Sequence, residues 1–206
     1  MSAETRTDHA LERLVFFSDA VFAIAITLLV IEIEAPHLPK GSPDSLYWHE
    51  LAGLIPNFFA YLISFAVIGM FWMGHHRAFM LADRYSGKIL GWNMGLLGVI
   101  AFMPFATAFL AVNLNQRVPA GFYSATLLAA ALLNLAVVTT ATGPAMVADG
   151  TDPVLVRFLR RRSLSVAFGA GTALVVAIAA PQFSQFALAS IALWRRVIAP
   201  RPKAAA

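Results

Sequence analysis

The sequence predicts an all-α polytopic membrane protein with six transmembrane helices, and three observations carry that expectation. Of 206 residues, 59% are hydrophobic and 13% charged, against the roughly 25% charged residues usual in soluble domains. Mean hydropathy is +0.72. Apolar runs of about twenty residues, the length that crosses a bilayer, recur along the chain. The absence of cysteine excludes disulfides, thiolate metal sites and a cysteine nucleophile. Net charge is +4 with pI near 9.9, but the basic residues flank apolar runs and form no aromatic-interleaved patch, so they read as topology signals and not as a nucleic-acid surface.

The elements follow in order. The first apolar segment, 13–34, contains Arg13-Leu-Val-Phe-Phe-Ser18-Asp19 and then Ala-Val-Phe-Ala-Ile24-Ala-Ile-Thr27-Leu-Leu-Val-Ile31. Glu4, Asp8 and Glu12 precede it, Asp19 interrupts it and no clean cleavage site follows, which predicts a retained helix and not a secretory signal. The second, 51–74, ends near Trp72-Met-Gly-His75-His76-Arg77. The third, 89–111, carries Asn93 and Pro104-Phe-Ala-Thr107; the proline predicts a kink and the asparagine glue between helices. The fourth, 121–142, and the fifth, 164–180, are rich in alanine, with Gly169 and Gly171 in the fifth, so this half reads as close-packing surface. The sixth, 183–199, is parted from the fifth only by Pro181-Gln182. The pair forms either a tight helical hairpin or includes a re-entrant piece. Residues 1–206 read as one six-helix domain without a second soluble domain, low-complexity stretch or internal repeat.

Basic residues orient these segments. With the N-terminus in the cytoplasm of a cell-membrane protein, that side collects Arg6, Arg13, Arg77, Arg84, Lys88, Arg157, Arg160 to Arg162, Arg195, Arg196, Arg201 and Lys203, leaving Lys40 and Arg117 outside. Both termini are then cytoplasmic. Glu32, Glu34, Asp44 and Glu50 gather around the proline-rich 35–50 loop and give the outer side a negative potential that concentrates cations.

At about 100° per residue, Phe17, Ile24, Thr27 and Ile31 share one stripe of the first helix. Two readings stand. The stripe is a seam against neighbouring helices with Thr27 bonded to its own backbone, or it lines a pore in which aliphatic side chains constrict the path and a hydroxyl ring meets the ion. Asp19 lies on another face, and an ionisable side chain in so apolar a run needs a partner. Arg13, the Ser18 hydroxyl and the histidines His75 and His76 are the candidates, and such a cluster serves to fix the helix. Adjacent histidines diverge on a helix, so His75 and His76 do not make a shared metal site. Trp72 and Trp92 read as interfacial anchors.

Arg-x-x-x-Phe-Ser-Asp followed by Ala-Val-Phe-Ala-Ile-Ala-Ile-Thr-Leu-Leu-Val, then Trp-x-x-His and Pro-Phe-x-Thr, resembles the bacterial branch of the transmembrane protein 175 family, the lysosomal potassium channels. The resemblance implies a homotetramer of six-helix subunits in a lipid bilayer. The first helix of each subunit lines a central pore without the usual carbonyl filter loop. It implies that Ile24 is the hydrophobic constriction, with Ile31 farther along the stripe, and that Thr27 favours potassium, the permeant ion, over sodium to a moderate degree. It implies a polar network of Arg13, Ser18, Asp19, Trp72 and His75, with Asn93 beside it. The lysosomal members carry two such units per chain and this sequence one, so four copies are required. No cofactor is called for. The alternative is a proton- or cation-coupled transporter using Asp19 and His75 as a relay, although midplane charges and repeated broken helices are not evident. An enzyme is disfavoured: no second membrane aspartate, His-Glu-x-x-His or Gly-x-Ser-x-Gly is present.

Overall fold

A computed structural model of the chain describes residues 3–199, with side chains from residue 9 onward. Its helices are α1 (Ala3–Ile31), α2 (Asp44–Gly53), α3 (Ile55–Phe79), α4 (Gly87–Val112), α5 (Arg117–Ala141), α6 (Pro153–Ala179), α7 (Ser184–Ala187) and α8 (Ser190–Ile198). Five of them, α1, α3, α4, α5 and α6, are long and apolar enough to cross a membrane. Among the described residues the strand-like pairing is one isolated antiparallel bridge between Ala82 and Val147. Together with the Asp83 N–H donated to Met146 O at 2.8 Å, it ties the α3–α4 loop to the α5–α6 loop. The side chain of Arg6, and all of Arg201 and Lys203, counted above as topology signals, lie outside the described residues.

Most differences from the expected boundaries have local causes. The first helix begins at Ala3 and stops at Ile31. Its polar first turns contain no Gly or Pro to break the helix, while Pro36 and Pro39 lie just beyond its end. The expected 51–74 helix is two elements. Pro56 occupies the first turn of α3, where its missing N–H costs nothing, and Leu54 joins α3 to the separate helix α2. No residue of α2 is buried, and it exposes Tyr47, Trp48 and Leu51. Because α3 continues to Phe79, the His75-His76-Arg77 group sits inside a helix.

Ser86 caps α4, its Oγ accepting from Ile89 N–H at 3.2 Å, and the helix runs on through Pro104. A turn containing Asn115, whose φ of 63° is left-handed, leads into α5; asparagine tolerates that conformation. At the other end of α5, Arg160 Nε donates to Thr142 Oγ1 at 2.9 Å and its Nη2 to Thr142 O at 2.7 Å. A cation bonded to the last carbonyls is the favourable complement to a helix C-terminus. The fifth expected segment is longer than its apolar core: Asp152 Oδ1 accepts from Val154 N–H at 2.8 Å and Pro153 stands in the first turn, so α6 starts eleven residues before 164 and takes in the basic run Arg160 to Arg162.

The sixth expected helix is not continuous. Residues 181–199 form a 3₁₀ turn, one turn of α7 and nine residues of α8, folded back along α6. Trp194 Nε1 donates to Thr172 Oγ1 at 3.1 Å, and Ser165 Oγ donates to the Trp194 carbonyl at 3.4 Å. Gly169 faces Ile191 so closely that an added Cβ would collide with it. The broadest helix contact is α5 with α6, and both helices carry fully buried small residues, Ala130 and Ala131 on α5 and Ala170 and Ala173 on α6. Small side chains let helices approach where lipid removes the hydrophobic drive between them. On the far side, α1 packs chiefly on α4 and α3.

Candidate functional site

The two faces of α1 differ sharply. Leu14, Ser18, Phe22, Ala25 and Leu29 are buried against α3 and α4, with Ser18 at 0% exposure and Phe22 at 1%. Their spacing of four, four, three and four is the helical period. The opposite face carries Phe17 at 49%, Ile24 at 57% and Ile31 at 70% exposure, and Thr27 is exposed with them. Among the described residues no helix covers this stripe. Ile24 and Ile31 are separated by about 10 Å along the axis at 1.5 Å per residue, and Thr27 lies between them. Thr27 Oγ1 donates to Ile24 O at 2.8 Å; the hydroxyl proton is thereby used, and the oxygen lone pairs remain free to accept.

The buried face of α1 is held by polar bonds. Ser18 Oγ donates to Leu14 O at 2.7 Å, and Asn93 Nδ2 donates to Ser18 Oγ at 2.8 Å. Asn93 Oδ1 lies 2.8 Å from His75 Nε2. With the His75 proton on Nε2, the bonds run in one direction from α3 through α4 to α1. Ser18, His75 and Asn93 are all 0% exposed, so each bond lies in a low-dielectric interior where an unmade partner costs about 1–3 kcal/mol. The His75 ring packs on Phe79 at 4.4 Å and near Phe22 at 5.5 Å between centroids.

Asp19 belongs to a separate contact. Its Oδ1 accepts from Trp72 Nε1 at 2.8 Å, and the Trp72 ring stacks on His76 at 5.4 Å and 24°. Arg13 is exposed and makes no ion pair among the described residues, where the one such pair is His9 with Glu12. The structure therefore brings Ser18, His75 and Asn93 into one chain and Asp19 and Trp72 into another, leaving Arg13 apart. Asp19 and His75 share no hydrogen bond, which disfavours the relay that the transporter reading needs. Trp72 is a hydrogen-bond donor to the carboxylate as well as a boundary residue, and Trp92 is exposed.

Sequence reasoning missed a second buried cluster. Thr107 Oγ1 donates to Ser64 Oγ at 2.8 Å, and Ser64 Oγ lies 3.1 Å from Tyr123 Oη, joining α4, α3 and α5. It also missed Asn134, whose Nδ2 donates to Ser163 Oγ at 3.2 Å while its buried Oδ1 has no partner among the described residues. The available signal was the presence of polar side chains within the apolar runs; which ones pair depends on the packing.

Comparison with known proteins agrees with this architecture. The family model described as "Endosomal/lysosomal potassium channel TMEM175" matches residues 13–104, which take in most of α1, all of α2 and α3 and most of α4. A protein of Chamaesiphon minutus named as a potassium channel is 36% identical over 189 residues, covering 90% of this chain and 87% of the relative. One of Streptomyces collinus, also named as a potassium channel, is 40% identical over 120 residues. That match spans 56% of this chain and 57% of the length of the relative. Among solved structures, the crystal structure of a lysosomal potassium-selective channel TMEM175 homolog from Chamaesiphon minutus superposes with a TM-score of 0.76 at 30% identity, covering 94% of this chain and all of that one. With this identity sustained over nearly the whole chain, and the matched region containing the buried and exposed faces of α1, the protein belongs to the TMEM175 family.

Proposed function

We propose that the protein is a potassium-permeable cation channel of the cell membrane, in which four copies bring their α1 helices around a central axis. The observation that carries this reading is the uncovered stripe of Phe17, Ile24, Thr27 and Ile31, apolar but for one hydroxyl, on a helix whose other face is buried and polar-bonded. A ring of Ile24 side chains closes the narrowest point by dewetting, with Ile31 farther along the path. Thr27, its proton held by the Ile24 carbonyl, offers neutral oxygen lone pairs that partly replace water around weakly hydrated potassium. They compensate poorly for stripping sodium. One hydroxyl ring gives moderate selectivity where stacked carbonyl rings give the extreme kind.

The names of the bacterial relatives support the choice of ion. Positive-inside bias supports cytoplasmic termini, and the return of α8 along α6 supports a sixth, broken passage. Conduction needs no covalent step and no resident cofactor. Single-channel recording from purified protein in a planar bilayer is the test. Discrete unitary currents with a reversal potential favouring potassium over sodium are expected. Slow, turnover-limited uptake without unitary events would replace the channel by a carrier.

A further inference from the structure

We infer that Arg77, Arg162 and Arg195 form a binding site for the headgroup phosphate of an anionic phospholipid, whose acyl chain lies in the groove between α3 and α8. The inference rests on the membrane embedding and not on conduction.

The three arginines come from α3, α6 and α8. Arg162 lies within charge–charge range of both others, and Arg162 and Arg195 are half-buried. Three like charges repel one another, and partial burial weakens the solvation that would screen them. Among the described residues none of the three has a carboxylate partner. Arg160, two positions before Arg162, spends its N–H groups on the C-terminus of α5; among the described residues these three have no such use. An anion is the missing complement, and the planar guanidinium fork matches phosphate oxygens in bidentate fashion.

The surroundings select a lipid as its source. Arg77 and Arg162 line a cavity of about 30 Å³ with Asn134 and Ser163, and Met70 and Ile191 complete part of its wall. Met70 and Ile191 also line a neighbouring groove of about 730 Å³, with Leu188, Ala192, Arg195 and Arg196. The two spaces adjoin at Met70 and Ile191, apolar there and cationic where Arg77, Arg162, Arg195 and Arg196 line them, which is the chemistry of an amphiphile. The unpartnered Asn134 Oδ1, 3% exposed in residue terms, repels a phosphate but accepts from a guanidinium, so it is suited to orient Arg77 or Arg162 toward the headgroup. A lipid held there joins α8 to the same stretch of α3 that carries Trp72 and His75.

Native mass spectrometry of the oligomer released from mild detergent tests the site, with phosphatidylglycerol, phosphatidylcholine of the same chains, and inorganic phosphate as probes. Wild-type protein should retain phosphatidylglycerol at least about tenfold more tightly than phosphatidylcholine. An arginine near an anionic lipid surface contributes enough for roughly fivefold in affinity, so Arg162→Gln with Arg195→Gln should lose roughly thirtyfold. Arg77→Gln, on an exposed side chain, should lose about fivefold and decides the matter if the double variant does not fold. Equal retention of the two lipids, or unchanged retention by the variants, would overturn the site. If millimolar inorganic phosphate raises the melting temperature as much as phosphatidylglycerol does, the ligand is a soluble anion and the lipid assignment fails. Bound mass is read without any current, so a protein that binds lipid and conducts nothing would count against the channel alone.

Discussion

Single side chains divide here into those that hold α1 and those it presents. Thr27 is the only polar member of its exposed stripe, and Thr27→Val keeps the shape while removing the oxygen. The bi-ionic reversal potential should therefore move toward equal potassium and sodium permeability; an unmoved potential places selectivity elsewhere. Ile24→Asn should ease wetting of the narrowest ring and raise potassium flux into liposomes. Unchanged flux in that variant, with altered flux on substituting Ile26, would assign the pore to another face. On the buried side, Asn93→Leu leaves His75 Nε2 without a partner and Ser18 with only its bond to Leu14 O, and should destabilise the subunit by about 1–3 kcal/mol for the one stranded group. Asp19→Asn retains an acceptor for Trp72 Nε1 and should assemble normally, whereas Asp19→Ala removes it and should lower the yield of folded oligomer in size-exclusion chromatography.

At the scale of elements, the broken segment beyond α6 depends on one close approach. A Cβ on Gly169 would meet the backbone Cα of Ile191 at 3.0 Å as well as its side chain. Gly169→Ala must therefore push α8 off α6, and overpacking of this kind costs typically about 1–3 kcal/mol. Gly171 provides the control, since a Cβ there meets nothing within 4 Å and Gly→Ala inside a helix is otherwise favourable by about 0.5–1 kcal/mol. A thermal melt should fall for Gly169→Ala and hold or rise for Gly171→Ala. Equal responses would mean that α8 does not pack where the structure has it. The same contact explains why α8 is short: Pro181 and the polar residues Gln182, Ser184, Gln185 and Ser190 interrupt the apolar run, and packing on α6 supplies what helix length does not.

For the whole molecule, the decisive asymmetry is that α1 touches α3 and α4 and leaves its other side uncovered, while α5 and α6 pack densely away from it. A single subunit encloses no axial path along that stripe. Copies related by cyclic symmetry would bury it against an axis and close the ring. Native mass spectrometry in mild detergent should accordingly give a tetramer, and monomer with flux retained would sink the assembly. Replacing Phe17 and Ile31 together by serine should weaken the tetramer while sparing the fold of the subunit, because neither side chain packs into the core.

Composition and the length of the apolar runs sufficed for the all-helical membrane class, since crossing a bilayer imposes a length and a hydropathy that are local properties of a segment. The α1 stripe was equally legible, because helical periodicity alone puts Phe17, Ile24, Thr27 and Ile31 on one side. Whether α3 or α4 covers that stripe within the subunit was not legible, since exposure depends on where those helices pack. The partner of Asp19 likewise waited on the fold: Arg13 is near in sequence, but the register between α1 and α3 brings the indole of Trp72 to the carboxylate. So did the chain His75–Asn93–Ser18, the Ser64–Thr107–Tyr123 cluster, the separation of α2 from α3 and the breaking of 183–199. Each of these is settled by contacts between residues distant along the chain, and the hydropathy of a segment carries no record of what the neighbouring helix presents to it.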